Sequence, residues 1–327
     1  MKVLVIGAAG MVGRKLVAAL LATGQVGGQA ISHLALADVV APTAPPSPIT
    51  ITTAAVDLSV PEVAGQLVAD RPDLIFHLAA IVSGEAEADF EKGYRINLDG
   101  TRHLLEAIRH AGQAAPYRPR LVFTSSIAVF GEPLPEVIGD THHLTPLTSY
   151  GTQKAICELL LSDYSRRGFV DGVGIRLPTI VVRPGKPNKA ASGFFSGILR
   201  EPLAGQPAVL PVADSVRHWF ASPRAAVGFL LHAAAMDTAL LGNQRNLTMP
   251  GLAATVGEEI AALERVAGAK AAGLIQRVPD AVIADIVAGW PKAFEASRAR
   301  RLGFTGETSF DEIIRIHIED ELGGRIG

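Results

Sequence analysis

Apolar and polar positions come in blocks along the first half of the chain, and the period of the blocks alternates. Lys2–Ile6 (KVLVI) is a short, continuous apolar run of the kind that forms a strand covered on both faces. Met11–Thr23 then sets Val12, Leu16, Ala19 and Leu20 at helical spacing and stops at Gly24. His33–Ala37 predicts a second strand closing with Asp38, and Ile49–Val56 a third. Between these two, the stretch APTAPPSP at 41–48 can neither pair regularly nor form a helix, which predicts a surface loop. Pro61 suits the first turn of a helix running to about Ala69. Leu74–Leu78 predicts a fourth strand, Phe90–Ala111 a long helix, Leu121–Thr124 a fifth strand, Ser149–Arg167 a second long helix and Val173–Leu177 a sixth strand. Strands poor in charge and joined by helices predict a parallel sheet covered on both sides, and right-handed crossovers make it doubly wound. After Pro178 the rhythm loosens. Short strands at Val209–Pro211, Asn246–Met249 and Ile275–Val278 alternate with helices, which predicts a smaller α/β domain.

Composition sharpens this in a few places. The 327 residues, 48% hydrophobic and 19% charged, provide a substantial core and argue against disorder. A net charge of -2, with no dense basic patch, argues against a nucleic-acid partner; Arg298, Arg300 and Arg301 read as a solvated helix end. One cysteine, Cys157, excludes an internal disulfide and suits a reducing compartment. The opening residues lack the pattern of a signal peptide, and no apolar stretch nears the roughly 20 residues of a membrane span. The expectation is a cytoplasmic protein without a membrane partner.

The first strand runs straight into Gly7-Ala8-Ala9-Gly10-Met11-Val12-Gly13, which opens the first helix. In such a turn the first glycine makes the bend, the second lets a pyrophosphate approach the backbone, and the third lets helix and strand pack closely, while the helix N-terminus holds the negative charge. The pattern therefore predicts a dinucleotide site. Asp38, closing the second strand, suits the two adenosine ribose hydroxyls and would repel a 2′-phosphate. No arginine follows at once, so the prediction is NAD, with tolerance of NADP left open. Asp57 and Leu58 end the third strand, where Asp57 reads equally as an adenine contact or as the cap of the helix at 61.

Tyr150-Gly-Thr-Gln-Lys154 lies in the first turns of the second long helix, and a spacing of four sets Tyr150 and Lys154 on one face. A phenol is a poor base at neutral pH, but a nearby ammonium and a cationic nicotinamide both favour the phenolate. Tyr150 would then take a hydroxyl proton as hydride leaves carbon. Ser125-Ser126 follows the fifth strand at the edge where ligands bind in such sheets, and a hydroxyl there can orient the substrate oxygen. His142 and His143 lack metal-site spacing and read as surface residues. Cys157, Trp219 and Trp290 read as packing.

Taken together, GAAGMVG at 7–13, Asp38, VDL at 56–58, HLAA at 77–80, Asn97, TSSIAVFG at 124–131, SYGTQK at 149–154 and RLPTIVVRPG at 176–185 resemble the extended short-chain dehydrogenase/reductase family, which includes nucleotide-sugar epimerases and dehydratases. The resemblance implies a Rossmann fold over residues 1–180, with 181–327 mainly a substrate-binding domain from which some segments return. It implies Ser126, Tyr150 and Lys154 as the catalytic trio. It also places Gly7, Gly10, Met11, Val12, Gly13, Leu78, Ala79, Ala80, Ser125, Pro178, Thr179 and Ile180 along the cofactor, with Asn97 supporting the site. Ile6 stands where a threonine is usual, and Phe130 where a tyrosine is common.

The reaction is not fixed by the trio. Arg217-His218-Trp219-Phe220 lacks the acidic residues that commonly follow this arginine in nucleotide-sugar enzymes, and Ser126-Ile127-Ala128 lacks a dehydratase's acid pair. Through HLAAIVSGEAEADFEKGYRINLDGT at 77–101, RLPTIVVRPGKPNKAASGFFSGILREPL at 176–203 and SVRHWFASPRAAVGFLLHAA at 215–234, the chain resembles the D-erythronate dehydrogenases of this family, and the resemblance implies NAD-dependent oxidation of a small sugar acid at its 2-hydroxyl. A carboxylate substrate calls for a cation. Arg183 ranks first and Arg217 next, ahead of Lys186 and Lys189, while Ser83 could donate to substrate hydroxyls. The alternatives are a nucleotide-sugar 4-epimerase or dehydratase with tightly bound NAD, and a non-catalytic NAD sensor. The helices Tyr94–Ala111 and Tyr150–Arg166 are expected to pair in a homodimer.

Overall fold

A computed structural model describes residues 1–185 and 191–327. Lys186 and Lys189 lie outside the described residues. The predicted six strands form one sheet with a seventh, Asn246–Thr248, which was expected in the smaller domain; the order is Asn246–Thr248, Asp171–Leu177, Arg120–Ser126, Leu74–His77, Lys2–Ile6, His33–Asp38, Thr50–Ala55. Chain order reverses at Lys2–Ile6, which has His33–Asp38 on one side and Leu74–His77 on the other, both parallel to it. The register decides where function can sit. Ile6 lies opposite Ala37 and His77, and His77 lies opposite Phe123, so the four strands end level with one another. The segments beginning at Gly7, Asp38, Leu78 and Thr124 therefore leave one carboxyl edge, at the switch in strand order where such sheets bind ligands.

Four of the five residues of Lys2–Ile6 are buried, as a strand covered on both faces requires. On one face Leu4, Ile6, Ile75, Leu121 and Phe123 pack against Ala64 and Val68 of the helix Pro61–Val68, Leu104, Leu105 and Ile108 of Gly100–Ala114, and Cys157 and Leu161 of Ser149–Arg166. The helix predicted over Phe90–Ala111 is present as three joined pieces, with a π-helical stretch at Tyr94–Asp99 between Phe90–Gly93 and Gly100–Ala114. Apolar periodicity does not register this wider turn, because Leu98, Leu104 and Leu105 still face the core. Residues 41–48 carry no regular structure.

The chain forms two compact units that interleave along the sequence. The first comprises Met1–Val129, Thr148–Arg176 and Val227–Leu247. The last segment belongs there because it brings Arg245 and Asn246 onto the strand at 171: the Arg245 carbonyl accepts from Gly174 N–H at 2.9 Å, its guanidinium reaches the Gly172 carbonyl and Asp171, and Asn246 reaches the Glu158 carbonyl. The second comprises Phe130–Leu147, Leu177–Ala226 and Thr248–Gly327. Phe130–Leu147 joins it through a bridge between Ile138 and Phe294 and a bond from Arg298 N–H to Asp140. Its own core gathers Phe195, Ile198, Leu199, Phe220, Leu263, Ile313 and Ile314 around a small sheet in which Arg217–Ala221 lies between Thr179–Ile180 and Leu252–Thr255. No helix among the described residues is long and apolar enough to cross a membrane.

Candidate functional site

The glycine turn is built as tightly as its spacing demands. Gly7 adopts φ +91°, and a Cβ there would fall 2.7 Å from Ala79 N; a Cβ at Gly13 would fall 2.1 Å from the Gly7 carbonyl oxygen. The Gly10 cap of the helix Met11–Thr23 has no side chain bonded to its first N–H groups. Those donors are then available to an anion. Asp38 accepts the Ala9 N–H at 2.9 Å, so the carboxylate predicted to hold ribose also braces the turn. A bare helix end, glycines that any side chain would crowd and an acid at the end of the next strand fit a dinucleotide. Met11, Val12, Leu78, Ala79 and Ala80 are half-buried along this edge and Leu58 is buried.

Asp57 is settled differently from the cap reading. Val60 caps the helix at 61, whereas Asp57 accepts Ser59 N–H at 2.9 Å and Ser59 Oγ at 2.6 Å and pairs with Arg95 at 3.1 Å. Burial works to raise the Asp57 carboxyl, but the bonds from Ser59 and Arg95 outweigh it and hold the group below its ordinary range.

Thr148 caps the helix Ser149–Arg166 by accepting Gly151 N–H at 3.0 Å, which fixes Tyr150 in its first turn. Burial lifts the Tyr150 phenol from 10 to about 12, and the neighbouring Ser126 hydroxyl only moderates this. In the protein without a nicotinamide, burial therefore prevails over the expected lowering. The reason lies in where the ammonium goes: Lys154 Nζ donates to the Thr124 carbonyl at 2.8 Å, 4.7 Å from the Phe123 ring centre and 5.8 Å from that of Tyr150. Lys154 is only 2% exposed. Burial pulls its pKa from 10.5 to about 8, against weaker support from Cys157 and Glu158.

Ser125 and Ser126 divide. Ser126 is half-buried, and its hydroxyl accepts Ala128 N–H at 3.1 Å. Ser125 is buried and donates to Glu158 at 2.6 Å, so its hydroxyl is engaged inside the protein. Glu158 in turn holds Arg176 through two guanidinium nitrogens, at 2.9 and 2.7 Å. Asn97 is buried, and its side chain bonds to both backbone groups of Ile81. Ser83 opens the short helix Ser83–Ala88. Buried polar residues beneath the trio, namely His77, Thr101, Gln153, Glu158 and Arg176, escaped the sequence reading. Their signal is a polar side chain at a position the period assigns to the core, as in His77 within LIFHL. Burial and the Lys154 charge drive His77 down to about 3, which keeps its ring neutral.

In the second unit, Thr179 Oγ1 lies 2.7 Å from His218 Nε2; Pro178 is buried, and Ile180 is half-buried. Arg183 donates to the Ser192 carbonyl and hydroxyl at 3.2 and 2.8 Å, and no carboxylate among the described residues pairs with it. Burial and neighbouring Arg200 both depress it. Arg217 is exposed and 3.6 Å from Glu258, so it already has a counter-charge. Trp219 packs in the core, and Trp290, half-buried, lies against His218. His142, expected at the surface, is half-buried beside Phe130. Among the described residues no cluster of three or more His, Cys, Asp or Glu could hold a metal.

Residues 3–243 match the model of the NAD-dependent epimerase/dehydratase family. The chain is 50% identical over 325 residues to a D-erythronate dehydrogenase of Cupriavidus necator, covering 98% of each. It is 42% identical over 322 residues to one of Haemophilus influenzae, covering 98% of this chain and all of that protein. A crystal structure described as a nucleoside-diphosphate-sugar epimerase from Agrobacterium tumefaciens superposes with a TM-score of 0.98 at 64% identity, over 100% of this chain and 96% of that one.

Proposed function

The chain belongs to the NAD-dependent epimerase/dehydratase family, and from that premise we propose that it oxidises the 2-hydroxyl of D-erythronate to the 2-oxo acid with NAD. The observation that carries the reading is the buried Lys154, its Nζ 5.8 Å from the Tyr150 ring centre, at the sheet edge that also bears Ser126 and the glycine turn. Near-full-length likeness to two D-erythronate dehydrogenases supports the substrate. When bound, the nicotinamide supplies the hydride acceptor and a positive charge. Gly7, Gly10, Met11, Val12 and Gly13 would hold the pyrophosphate and Asp38 the adenosine ribose, with Asp57, Leu58, Leu78–Ala80 and the Ser125 backbone along the cofactor. The carboxylate of Asp38, followed by Val39 and Val40 and not by a cation, favours NAD over NADP.

Ser126 orients the substrate oxygen through its hydroxyl, and Tyr150 takes the proton. Because burial opposes the phenolate, ionisation of Tyr150 depends on nearby positive charge, and Lys154 is the cation this chain provides. In the second unit, Pro178, Thr179 and Ile180 are proposed cofactor neighbours. Arg183, a guanidinium without a counter-charge among the described residues, is the first candidate for the substrate carboxylate, ahead of the already paired Arg217. Ser83 is a further candidate donor to substrate hydroxyls. A homodimer through the helices Tyr94–Ala111 and Tyr150–Arg166 is supported by Leu159, 67% exposed on the second of them. The lack of an internal disulfide fits the cytoplasm.

An epimerase reading has the name of the Agrobacterium protein in its favour. The two readings differ in whether reduced cofactor leaves. Purified protein is given NAD or NADP with D-erythronate, its stereoisomers or a UDP-sugar, and absorbance at 340 nm is followed beside Tyr150→Phe. Steady NADH formation from D-erythronate, lost by about a hundredfold or more in the variant, is expected. Isomerised UDP-sugar with no net NADH would overturn the proposal.

A further inference from the structure

Gln153 lies between Tyr150 and Lys154 on the helix Ser149–Arg166, is wholly buried, and is used by nothing in the reaction described above. Its side-chain oxygen accepts from Asn97 Nδ2 at 2.7 Å. Its own Nε2 finds no acceptor among the described residues. A buried amide with an orphaned donor is costly, and a leucine of similar size would avoid that cost. The retained glutamine therefore points to a use for its oxygen.

That use follows from the polarity of its partner. Asn97 Oδ1 accepts Ile81 N–H at 2.9 Å while its Nδ2 faces the Ile81 carbonyl at 3.3 Å, so the Asn97 amide has one sensible orientation. With that orientation set, whatever faces the other hydrogen of Nδ2 must be an acceptor. The glutamine is held in turn by a close wall: a Cβ on Gly93 would fall 2.6 Å from Gln153 Nε2. The Asn97 backbone is pinned separately, its carbonyl accepting from Thr101 Oγ1 at 2.8 Å within the π-helical stretch. Ile81 directly follows Leu78–Ala80, which leaves the sheet beside Gly7.

We propose that Gln153 is a positioning residue for the cofactor site, its side-chain carbonyl locking the Asn97 amide and, through it, the Leu78–Ile81 backbone. This rests on the reading of that edge as the dinucleotide site. The glutamine touches neither cofactor nor substrate; it ties the helix bearing Tyr150 and Lys154 to the strand end along which the cofactor would lie. Gly93 belongs to the same device, since only a residue without a side chain leaves room for the amide.

The test is NAD affinity by calorimetry, with steady-state kinetics and melting temperature, on Gln153→Leu, Gln153→Glu and Gly93→Ala. Gln153→Leu removes the acceptor and is expected to weaken NAD binding by about five- to tenfold, with kcat and its pH profile nearly unchanged. Gln153→Glu keeps an acceptor oxygen and is expected to recover most of that loss. Gly93→Ala displaces the amide and should weaken NAD in the manner of Gln153→Leu, which serves also if the leucine variant fails to fold. A lower melting temperature with NAD affinity intact, or equal losses in the leucine and glutamate variants, would overturn the proposal. If D-erythronate is not oxidised by the unaltered protein but NAD binds and follows this pattern, the substrate reading fails and the role of Gln153 stands.

Discussion

Lys154 is a cation in a place that disfavours cations, and removing it has a calculable effect on the cofactor-free protein. Burial moves its pKa from 10.5 to about 8. At about 1.4 kcal/mol per pH unit, this penalises the folded state by about 3 kcal/mol wherever the lysine is charged in both states. The sign follows from proton counts. Below pH 8 the folded and unfolded chains both carry the proton, and the full penalty is present. Between 8 and 10.5 the folded chain has lost a proton that the unfolded chain retains, so stability rises with pH; above 10.5 both are neutral and the penalty is gone. Lys154→Met keeps the stem and discards the charge, but strands the Thr124 carbonyl that accepts Nζ at 2.8 Å, at a cost of about 1 kcal/mol. The variant should therefore be more stable than the parent by about 2 kcal/mol at pH 7 and slightly less stable at pH 10.5, while losing turnover. Urea unfolding of the cofactor-free proteins, followed by far-ultraviolet circular dichroism, measures this. Tryptophan fluorescence is the wrong probe, because Trp219 and Trp290 both belong to the second unit. A variant less stable than the parent at pH 7, or a difference that does not shrink as pH rises, would refute the account of Lys154 as a strained, functionally retained charge.

Two further changes probe the frame around it. Gly13→Ala puts a methyl 2.1 Å from the Gly7 carbonyl and forces the backbone at Gly7 and Ala8 to shift; NAD affinity measured by titration should fall by at least about tenfold. Glu158→Ala removes the carboxylate that Ser125 and Arg176 both bond inside the protein, and a loss of about 3–5 kcal/mol in urea unfolding is expected, against well under 1 kcal/mol for Glu319→Ala in an exposed pair with Arg224.

What could be read from the chain alone divides along a physical line. Periodicity reports which residues avoid water, and so the strands, the helices and their parallel arrangement were legible from Lys2–Ile6 to Asp171–Leu177. The glycine turn and the Tyr150–Lys154 spacing were legible too, since each is a local geometry written in adjacent residues. Some return of segments from the second half was expected, but which segments cross was not legible, because Phe130–Leu147 and Val227–Leu247 are assigned by partners such as Phe294 and Gly172 that lie far along the chain. The π-helical stretch at Tyr94–Asp99 escaped for a related reason: widening one turn leaves the apolar face intact.

Tyr150 shows the limit of spacing as a guide. A spacing of four says which face a side chain occupies and not what its charge is bonded to. With Lys154 turned to the Thr124 carbonyl and the phenol buried, desolvation raises the phenol in the absence of the nicotinamide that the expectation also invoked. Were Tyr150 the base proposed above, its ionisation would wait on further positive charge such as a bound nicotinamide brings. The same burial that makes Lys154 costly thus makes the base conditional, and both effects have one origin in the low-dielectric environment beneath the sheet edge.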